Sequence, residues 1–374
     1  MKLALPAGVL ALALALPAAA ETGVTADAVA IGQSVVLSGP LAENGVQYTK
    51  GIKLYLDQVN AKGGVNGRKI ELTTLDDAYD PKRAEENTRK LIEEKQVFAL
   101  FGYAGTGATL ASLPLAEKAQ TPLLAPYTGA EALRAKPSPV LYHLRAGYGD
   151  EMEKIVEHQT TVGIKNIAIA YQNDNFGKAG LKSFEEAMAR RNLKPAAVAA
   201  IDPATLDAKA TVAELNKATP AAVVLATAGK ASSAVVREFI RIGHRPQFFG
   251  LSAVSASQMR SDLQGDVSGI VIAQVVPSPW STKFGVVRQY REALGGKAEE
   301  AHHASFEGYI AARVLVEGLK RAGRELTRSK LLAALDGMRR LDLGDYFIDF
   351  GNGRHIGSSY VDLSILRPGG QFLQ

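Results

Sequence analysis

Short runs of β-branched residues alternate with longer amphipathic segments over most of this chain of 374 residues. Such an alternation is typical of strands that feed crossover helices, because two parallel strands need a connection that returns over the face of the sheet. The sequence therefore predicts an α/β protein built on parallel sheets.

The apolar runs and the turn residues between them predict where each element lies. The predicted strands are Val29–Leu37, Lys69–Asp76, Val97–Gly102, Leu123–Ala125, Ile167–Tyr171, Ala196–Ile201, Val223–Ala226, Gln247–Leu251 and Ile270–Val276. The predicted helices are Val46–Lys62, Pro81–Glu94, Thr109–Ala119, Glu151–Val162, Lys178–Arg191, Ala231–Ile242, Phe284–Leu294, His303–Ala322 and Arg328–Leu335.

The chain is longer than the roughly 250–300 residues at which a single hydrophobic core stops growing, so two lobes are expected. Two series of alternating strands and helices are separated by a break near residues 142–149. We predict that the chain crosses between the lobes near Arg145, Pro277 and Leu343. The first lobe then comprises residues 21–145 and 277–343, and the second comprises residues 146–276 and 344–374.

The C-terminal segment is predicted to form a β-hairpin. Tyr346–Phe350 and Ser359–Leu366 resemble strands, and Gly351-Asn352-Gly353 between them contains an Asn-Gly turn signal.

The first 20 residues have the pattern of a secretory signal peptide. Lys2 gives a positive start, Leu3–Leu16 an apolar stretch, and Ala18–Ala20 a small-residue cleavage site. A bilayer span needs about 20 apolar residues, which makes a retained anchor the less favoured alternative. We expect cleavage after Ala20 and a freely soluble mature protein, since the chain has no cysteine that could carry a lipid.

The composition excludes several kinds of site. Without cysteine there is no disulfide, thiolate metal site or thiol catalysis. The net charge is +5 with both signs interspersed, which predicts a solvated surface rather than a stripe that binds nucleic acid.

An enzyme is the least favoured class. No Gly-x-Ser-x-Gly elbow occurs, and no convincing Ser/His/Asp set can be assembled. Glu300, His303 and Glu307 could share one helix face and hold a metal, but acids at a helix start also favour the helix dipole. We favour a solvated surface for them, and predict neither a metal nor a cofactor.

The loop Gly102–Thr109 is the strongest candidate for a binding site. It follows a predicted strand and opens a helix, where ligands bind in open α/β sheets. Its glycines allow close approach to backbone N–H groups, and Thr106 adds a hydroxyl at the positive end of the helix dipole. The loop therefore predicts an anion receptor. A nucleotide P-loop is not favoured, because no Gly-Lys-Ser/Thr ending is present, and glycines used only for packing remain the alternative.

Several motifs carry a resemblance to a known family. They are Ser38-Gly39-Pro40, Asn60–Gly67, Asp76–Pro81, Gly102–Thr109, Thr121–Pro126, Tyr171–Gly177 and Ser305–Ala312. Together they resemble the type I periplasmic solute-binding proteins of branched-chain-amino-acid-type ABC transporters, over nearly the whole mature chain. The resemblance implies two Rossmann-like, doubly wound lobes joined by a three-segment hinge. It also implies a ligand clamped in the cleft, a membrane permease as partner, and neither catalysis nor a cofactor.

The resemblance also implies the residues that line the cleft. Thr128 falls where the family usually supplies a second hydroxyl to the carboxylate, with Tyr127 as the alternative at that position. Phe176 falls where the branched-chain binders place a tyrosine lid, and Tyr309 on another aromatic position. The full set of predicted ligand-binding residues is Ser38, Asn44, Tyr103, Ala104, Gly105, Thr106, Tyr127, Thr128, Tyr148, Phe176, Ser252 and Tyr309.

Two departures from the family pattern affect the expected ligand. The cysteines of a disulfide common in the family would fall at Tyr79 and Gly105, and both are absent. No acidic residue stands near Ser252, where the family pairs one with the ligand's ammonium. A buried ammonium without a charged partner is costly, so we favour an aromatic or aliphatic acid that lacks the amine. Asp174 or Glu307 could instead supply the charge from elsewhere, in which case an amino acid remains the alternative.

The sequence thus predicts a monomeric periplasmic binding protein that closes around a small carboxylate and delivers it to an ABC-transporter permease. A periplasmic sensor that docks on a signalling receptor is the alternative.

Overall fold

The computed structural model describes residues 21–368 and 372, and its first lobe is built on a five-stranded parallel sheet. The strand order is β2-β1-β3-β4-β5. The strands are β1 (Ala28–Val35), β2 (Lys69–Asp76), β3 (Ala99–Phe101), β4 (Leu123–Leu124) and β5 (Leu141–Tyr142), and the helices between them are α1 (Ala42–Ala61), α2 (Pro81–Arg89) and α3 (Thr106–Lys118). A single π-helical turn, Lys90–Glu94, extends α2.

The second lobe is built on a six-stranded sheet. Its parallel strands are β6 (Ile167–Gln172), β7 (Val198–Ile201), β8 (Ala222–Ala226), β9 (Gln247–Gly250) and β10 (Val271–Gln274). Its helices are α4 (Tyr148–Thr161), α5 (Asn175–Ala189), α6 (Lys209–Asn216), α7 (Gly229–Arg241) and α8 (Ala256–Asp262). The α/β class with two lobes is therefore confirmed.

The chain then returns to the first lobe before it ends in the second. Helices α9 (Gly285–Ala293), α10 (His303–Ala322) and α11 (Arg328–Asp336) follow β10. Helix α10 packs along α1, and both contribute to one hydrophobic core with the first sheet. After the short strands β11 (Leu341–Asp342) and β12 (Phe347–Ile348), strand β13 (Asp362–Ile365) joins the edge of the second sheet, antiparallel to β10.

The predicted C-terminal hairpin is wrong. Strand β12 pairs with β11, while β13 pairs with β10 in the other lobe. Gly351–Gly353, which carries the Asn-Gly signal, forms a 3₁₀ turn. Ile348 and Phe350 are buried in the core that contains α10, so the partners of this segment are set by distant elements.

The helices that reach the cleft begin at well-defined residues. Asp80 caps α2 by accepting hydrogen bonds from the backbone N–H groups of Lys82 and Arg83, with Pro81 at the first helical position. Asp174 caps α5 by accepting from the N–H of Gly177. Both caps follow the carboxyl end of a strand. The loop before each helix therefore lies at the edge of the sheet that faces the space between the lobes.

No helix within residues 21–368 is both long and apolar enough to cross a membrane. The predicted signal peptide, residues 1–20, lies outside the described residues.

Candidate functional site

The cavity that contains the anion loop lies between the lobes, beyond the carboxyl ends of the strands, and a second cavity beside it shares Asn44 and Tyr127. The loops that follow β1, β2, β3 and β4 form its first-lobe side, and the loops that follow β6, β8 and β9 form the opposite side. It is lined by Val36, Leu41, Asn44, Gly45, Tyr79, Ala104, Gly105, Thr106, Tyr127, Tyr148, Phe176, Ala228 and Ala253. None of these side chains is ionised at neutral pH, so the cavity wall offers dipoles and apolar surface but no formal charge.

The N-terminus of α3 opens into this cavity. Gly105, immediately before the helix, has φ +109°, which favours glycine. A Cβ at Gly105 would lie 3.1 Å from Cε2 of Tyr79, so the absent side chain leaves room for that ring. The first N–H groups of a helix have no partner within the helix. They therefore point at the cavity with the positive end of the helix dipole.

A row of hydroxyl groups continues from the start of α3. The Thr106 hydroxyl lies 2.8 Å from the Thr128 hydroxyl, which lies 3.3 Å from the phenol oxygen of Tyr148. All three residues are buried. Together with the helix N-terminus, these donors can bind one anionic group such as a carboxylate.

Backbone hydrogen bonds hold the two loops of this anion site side by side. The N–H of Tyr127 donates to the carbonyl of Tyr103 at 2.6 Å, and the N–H of Gly105 donates to the carbonyl of Tyr127 at 3.3 Å. Ala104 and Tyr127 thus form a parallel bridge that extends the β3–β4 pairing into the loops. The sheet itself therefore fixes the spacing between Thr106 and Thr128.

Hydrogen bonds across the cleft show that the lobes are closed. Asn44 donates from Nδ2 to the carbonyl of Ala253 at 2.7 Å. The Tyr79 phenol donates to Oδ2 of Asp174 at 3.1 Å. Apolar surface from Tyr148 and Phe176, whose rings meet edge to face at 5.4 Å, covers the remaining side.

A buried charge cluster lies behind the Tyr127 wall. The Arg145 guanidinium lies 3.7 Å from the Glu151 carboxylate and 3.6 Å from the Glu307 carboxylate. It also stacks over the Tyr127 ring, 4.4 Å from its centroid, and donates to the Ser252 hydroxyl. Glu151 accepts from the Ser252 N–H at 2.7 Å and from its hydroxyl at 3.0 Å.

Burial and mutual charge shift the pKa values in this cluster. Burial raises the pKa of Glu151 to about 7, against the lowering effects of Arg145 and Ser252. Burial likewise raises the pKa of Glu307, again opposed by Arg145. Burial lowers the pKa of Arg145, but Glu307, Tyr127 and Glu151 outweigh it and the pKa rises, so Arg145 stays charged.

The predicted site residues separate into three groups. Asn44, Ala104, Gly105, Thr106, Tyr127, Tyr148 and Phe176 line the cavity, and Thr128 touches it through Thr106. Ser252 lies in the charge cluster, where its side chain is already bonded. The remaining three residues point elsewhere: Ser38 donates to Asp76 at 2.6 Å, the Tyr103 phenol bonds to Thr88, and Tyr309 packs against Tyr55 and Tyr290 in the first-lobe core.

Besides Glu307 and the lining residues Val36, Leu41, Gly45, Ala228 and Ala253, three residues of the site were not among the predicted ligand-binding residues. Tyr79 lines the cavity beside Gly105, and the family resemblance indicated that these two positions are neighbours, since the family's cysteines would pair there. Arg145 was predicted only as a crossover residue. Glu151 had no signal at all, because its role depends on Ser252, 101 residues away in the chain.

The residues weighed as a metal site do not converge. Glu300 forms a surface ion pair with Lys50 at 2.8 Å, and the His303 ring packs against Trp280. The prediction that Glu307 lies on the solvated surface is wrong, since Glu307 is buried beside Arg145. Within the described part of the chain, no group of three His, Cys, Asp or Glu residues is arranged to hold a metal ion.

Comparison with known proteins establishes the class. A family model described as periplasmic binding protein matches residues 28–363, and the chain belongs to this family of periplasmic solute-binding proteins. The Leu/Ile/Val-binding protein homolog 7 of Brucella suis is 26% identical over 335 residues, which cover 83% of this chain and 82% of that protein.

Solved structures agree over almost the full length. A possible leucine/isoleucine/valine-binding protein from Rhodopirellula baltica superposes with a TM-score of 0.88 and 30% identity, covering 96% of this chain and 98% of the other. A substrate-binding periplasmic protein from Ralstonia solanacearum gives a TM-score of 0.86 and 29% identity, and the superposition covers 92% of this chain and 99% of the other. The resemblance and the two-lobed type I fold predicted from the sequence are confirmed.

Proposed function

We propose that this periplasmic binding protein captures a small organic acid without an amine and delivers it to the permease of an ABC transporter. The observation that carries the proposal is the contrast within one cavity. A helix N-terminus and a row of hydroxyl groups meet at one end, while no acidic side chain lines any part of it.

The anion end accounts for a carboxylate. The N–H groups that begin α3, the Thr106 hydroxyl and the Tyr148 phenol, which acts through Thr128, are buried donors at this end of the cavity. Hydrogen bonds to a charged acceptor contribute about 1.5–3 kcal/mol each. The site requires no metal or cofactor to bind such a group.

The absence of an acid from the lining argues against an ammonium group. Glu151 is held by Ser252 and paired with Arg145, and Glu307 is paired with the same guanidinium. Asp174 caps α5 and accepts from Tyr79. Each of these three acids thus has partners within the protein, and a ligand ammonium would have to displace one of them to pair with it.

Closure of the two lobes is the proposed mechanism. We place the hinge at the crossovers near Arg145 and Pro277 and at a third crossover between Phe350 and β13. The third crossover is not near Leu343, as the sequence predicts, because Ile348 and Phe350 pack in the first-lobe core. A ligand that contacts both lobes favours the closed form by no more than its difference in affinity for the two states. The permease then recognises the surface of the closed form. The protein meets the permease in the periplasm, after export and cleavage of the signal peptide behind Ala20.

Matched acids test the ligand class. Calorimetry would compare leucine with 4-methylpentanoate and phenylalanine with 3-phenylpropanoate, pairs that differ only in the amine. We expect binding by an acid without an amine and at least tenfold weaker binding by its amino counterpart. Tight binding of leucine or valine, as the name of the Brucella relative suggests, would overturn the ligand class. Capture of a signalling receptor rather than a permease from membrane fractions would favour the sensor.

A further inference from the structure

Arg145 lies where the chain passes from the first lobe to the second, between β5 and α4. It is buried, with 1% of its surface exposed. Its Nε lies 3.6 Å from Glu307 on α10 of the first lobe, and its Nη2 lies 3.7 Å from Glu151 on α4 of the second. One guanidinium therefore holds an acid from each lobe.

The same guanidinium also holds the wall of the ligand cavity. The Tyr127 ring lines the cavity with one part of its surface and stacks under Arg145 with another. The Tyr127 phenol donates across the cleft to the carbonyl of Ser252 at 3.3 Å, and Ser252 is in turn held by Glu151. Separation of the lobes would break the contact between Tyr127 and Ser252 and divide the two acids.

The charges in the closed cluster do not balance when both acids are ionised. One guanidinium then faces two carboxylates in a space without bulk water, and an uncompensated buried charge is costly. A single proton on the carboxylate pair restores neutrality. In an open cleft, water reaches both acids and each can ionise.

The other ionisable groups around the cluster do not supply this proton. Four tyrosines face it, and burial raises the pKa of each, so they stay neutral. Arg134 stays cationic although burial lowers its pKa to about 10, and Glu131 and Asp150 favour its charge. Its charge lowers the pKa of Glu307, in the same direction as that of Arg145. The four tyrosines are Tyr48, Tyr127, Tyr148 and Tyr346.

We propose that Arg145 is the positioning residue that couples the cavity wall to lobe closure, and that closing the cleft transfers one proton from solvent onto the Glu151–Glu307 pair. The proton forms an O–H bond on one carboxylate and leaves with water when the cleft opens. This inference rests on lobe closure, which belongs to the proposed function, but not on the ligand being a carboxylate.

The direction of the pH effect follows from the binding of a proton to the closed form. In the closed form the pKa of Glu151 is raised to about 7 by burial, whereas an exposed glutamate titrates near 4.3. Proton binding therefore favours the closed form over the open form most strongly at low pH. This contribution is lost as the pH rises through about 7. Between these limits, transfer of one proton changes the ratio of closed to open protein by at most about tenfold per pH unit.

A ligand-free measurement of lobe distance tests the inference. Because the chain has no cysteine, Lys82→Cys on α2 and Lys178→Cys on α5, both exposed on opposite lobes, accept a pair of fluorescent dyes. Single-molecule energy transfer from pH 5.5 to 8.5 would report the closed fraction. We expect the closed fraction to fall as the pH rises, and Glu151→Gln to remove this dependence while the closed form persists, since the Gln side chain can still accept from Ser252.

The matched control is Glu157→Gln on the same helix, an exposed residue paired only with Lys154 at 3.8 Å. It should keep the pH dependence of the parent protein. Glu307→Gln provides a second variant that should weaken the dependence if Glu151→Gln fails to fold. A parent protein whose closed fraction does not change with pH, or a Glu151→Gln or folded Glu307→Gln variant that changes as the parent does, would refute the inference. Because no ligand is present, this outcome is independent of the panel of acids.

Discussion

The phenol of Tyr79 in the first lobe donates a hydrogen bond to the carboxylate of Asp174 in the second, at 3.1 Å. Tyr79 also packs over Gly105 at the start of α3, so a single side chain touches the anion site and spans the cleft. Asp174 in turn caps α5. Lobe closure and the geometry of the anion site are thus connected through one residue.

Tyr79→Phe should weaken ligand binding while leaving the free energy of unfolding nearly unchanged. The ring would still pack on Gly105, but the bond to Asp174 would be lost, at a cost of about 0.5–1.5 kcal/mol in the closed form. Calorimetry should therefore give a dissociation constant about two- to twelvefold higher. Tyr309→Phe is the control, because Tyr309 lies in the first-lobe core and its hydroxyl should not contribute; equal losses in the two variants would contradict the assignment.

Thr106→Val tests the anion site directly. The change keeps the shape of the side chain but removes a donor beside α3 and the partner of the Thr128 hydroxyl. We expect binding of the acid to weaken by about 1–3 kcal/mol, measured by calorimetry, with little change in melting temperature. Thr121→Val, at a buried position just beyond the far end of α3, should leave affinity unchanged. An unaltered dissociation constant in Thr106→Val would place the carboxylate elsewhere.

Gly105→Ala should reduce both stability and affinity. Gly105 has φ +109°, and a new Cβ would press on the Tyr79 ring at 3.1 Å. Strained backbone of this kind costs about 1–3 kcal/mol, which should appear as a lower free energy of unfolding in urea. Gly337→Ala is the control, since Gly337 has φ −77° and lies far from the cleft. A fully stable Gly105→Ala variant would mean that the loop relaxes without the constraint described.

His143 should contribute to acid denaturation. Burial lowers its pKa to about 3, whereas an unfolded histidine titrates near 6.5. The unfolded chain therefore binds a proton that the folded protein does not, so stability is complete above about pH 6.5 and falls as the pH decreases toward 3. The loss is at most about 1.4 kcal/mol per pH unit.

His143→Gln isolates this contribution. Its amide can still donate to the carbonyl of Leu133, which lies 3.2 Å from His143 Nε2. Urea titrations at pH 7 and pH 5 should show a smaller loss of stability in the variant than in the parent protein. Equal losses would show that other groups account for the acid sensitivity.

Local patterns were sufficient for most elements of the fold. The bounds of β2 and of α10 were predicted to the residue, because strong apolar periodicity and caps lie at their ends. The prediction of a C-terminal hairpin failed because the Asn-Gly signal describes only the turn and does not identify the strands that pair. Strand β13 pairs with β10, nearly a hundred residues earlier, and no local pattern contains that partner.

The anion loop could be predicted, but not the direction of every side chain around it. Tyr103 and Ala104 are neighbours, and in extended backbone consecutive side chains face opposite ways. Ala104 faces the cavity, so Tyr103 points into the core and bonds to Thr88. No local pattern could predict the charge cluster of Arg145, Glu151 and Glu307, because its three residues meet only when both lobes are assembled.

Neither lobe is continuous in the chain. The first core lacks α10 until residue 322 has been made, and the second sheet lacks its edge strand until residue 365. A polypeptide that emerges from its N-terminus onward can therefore complete neither core until almost all of it is available.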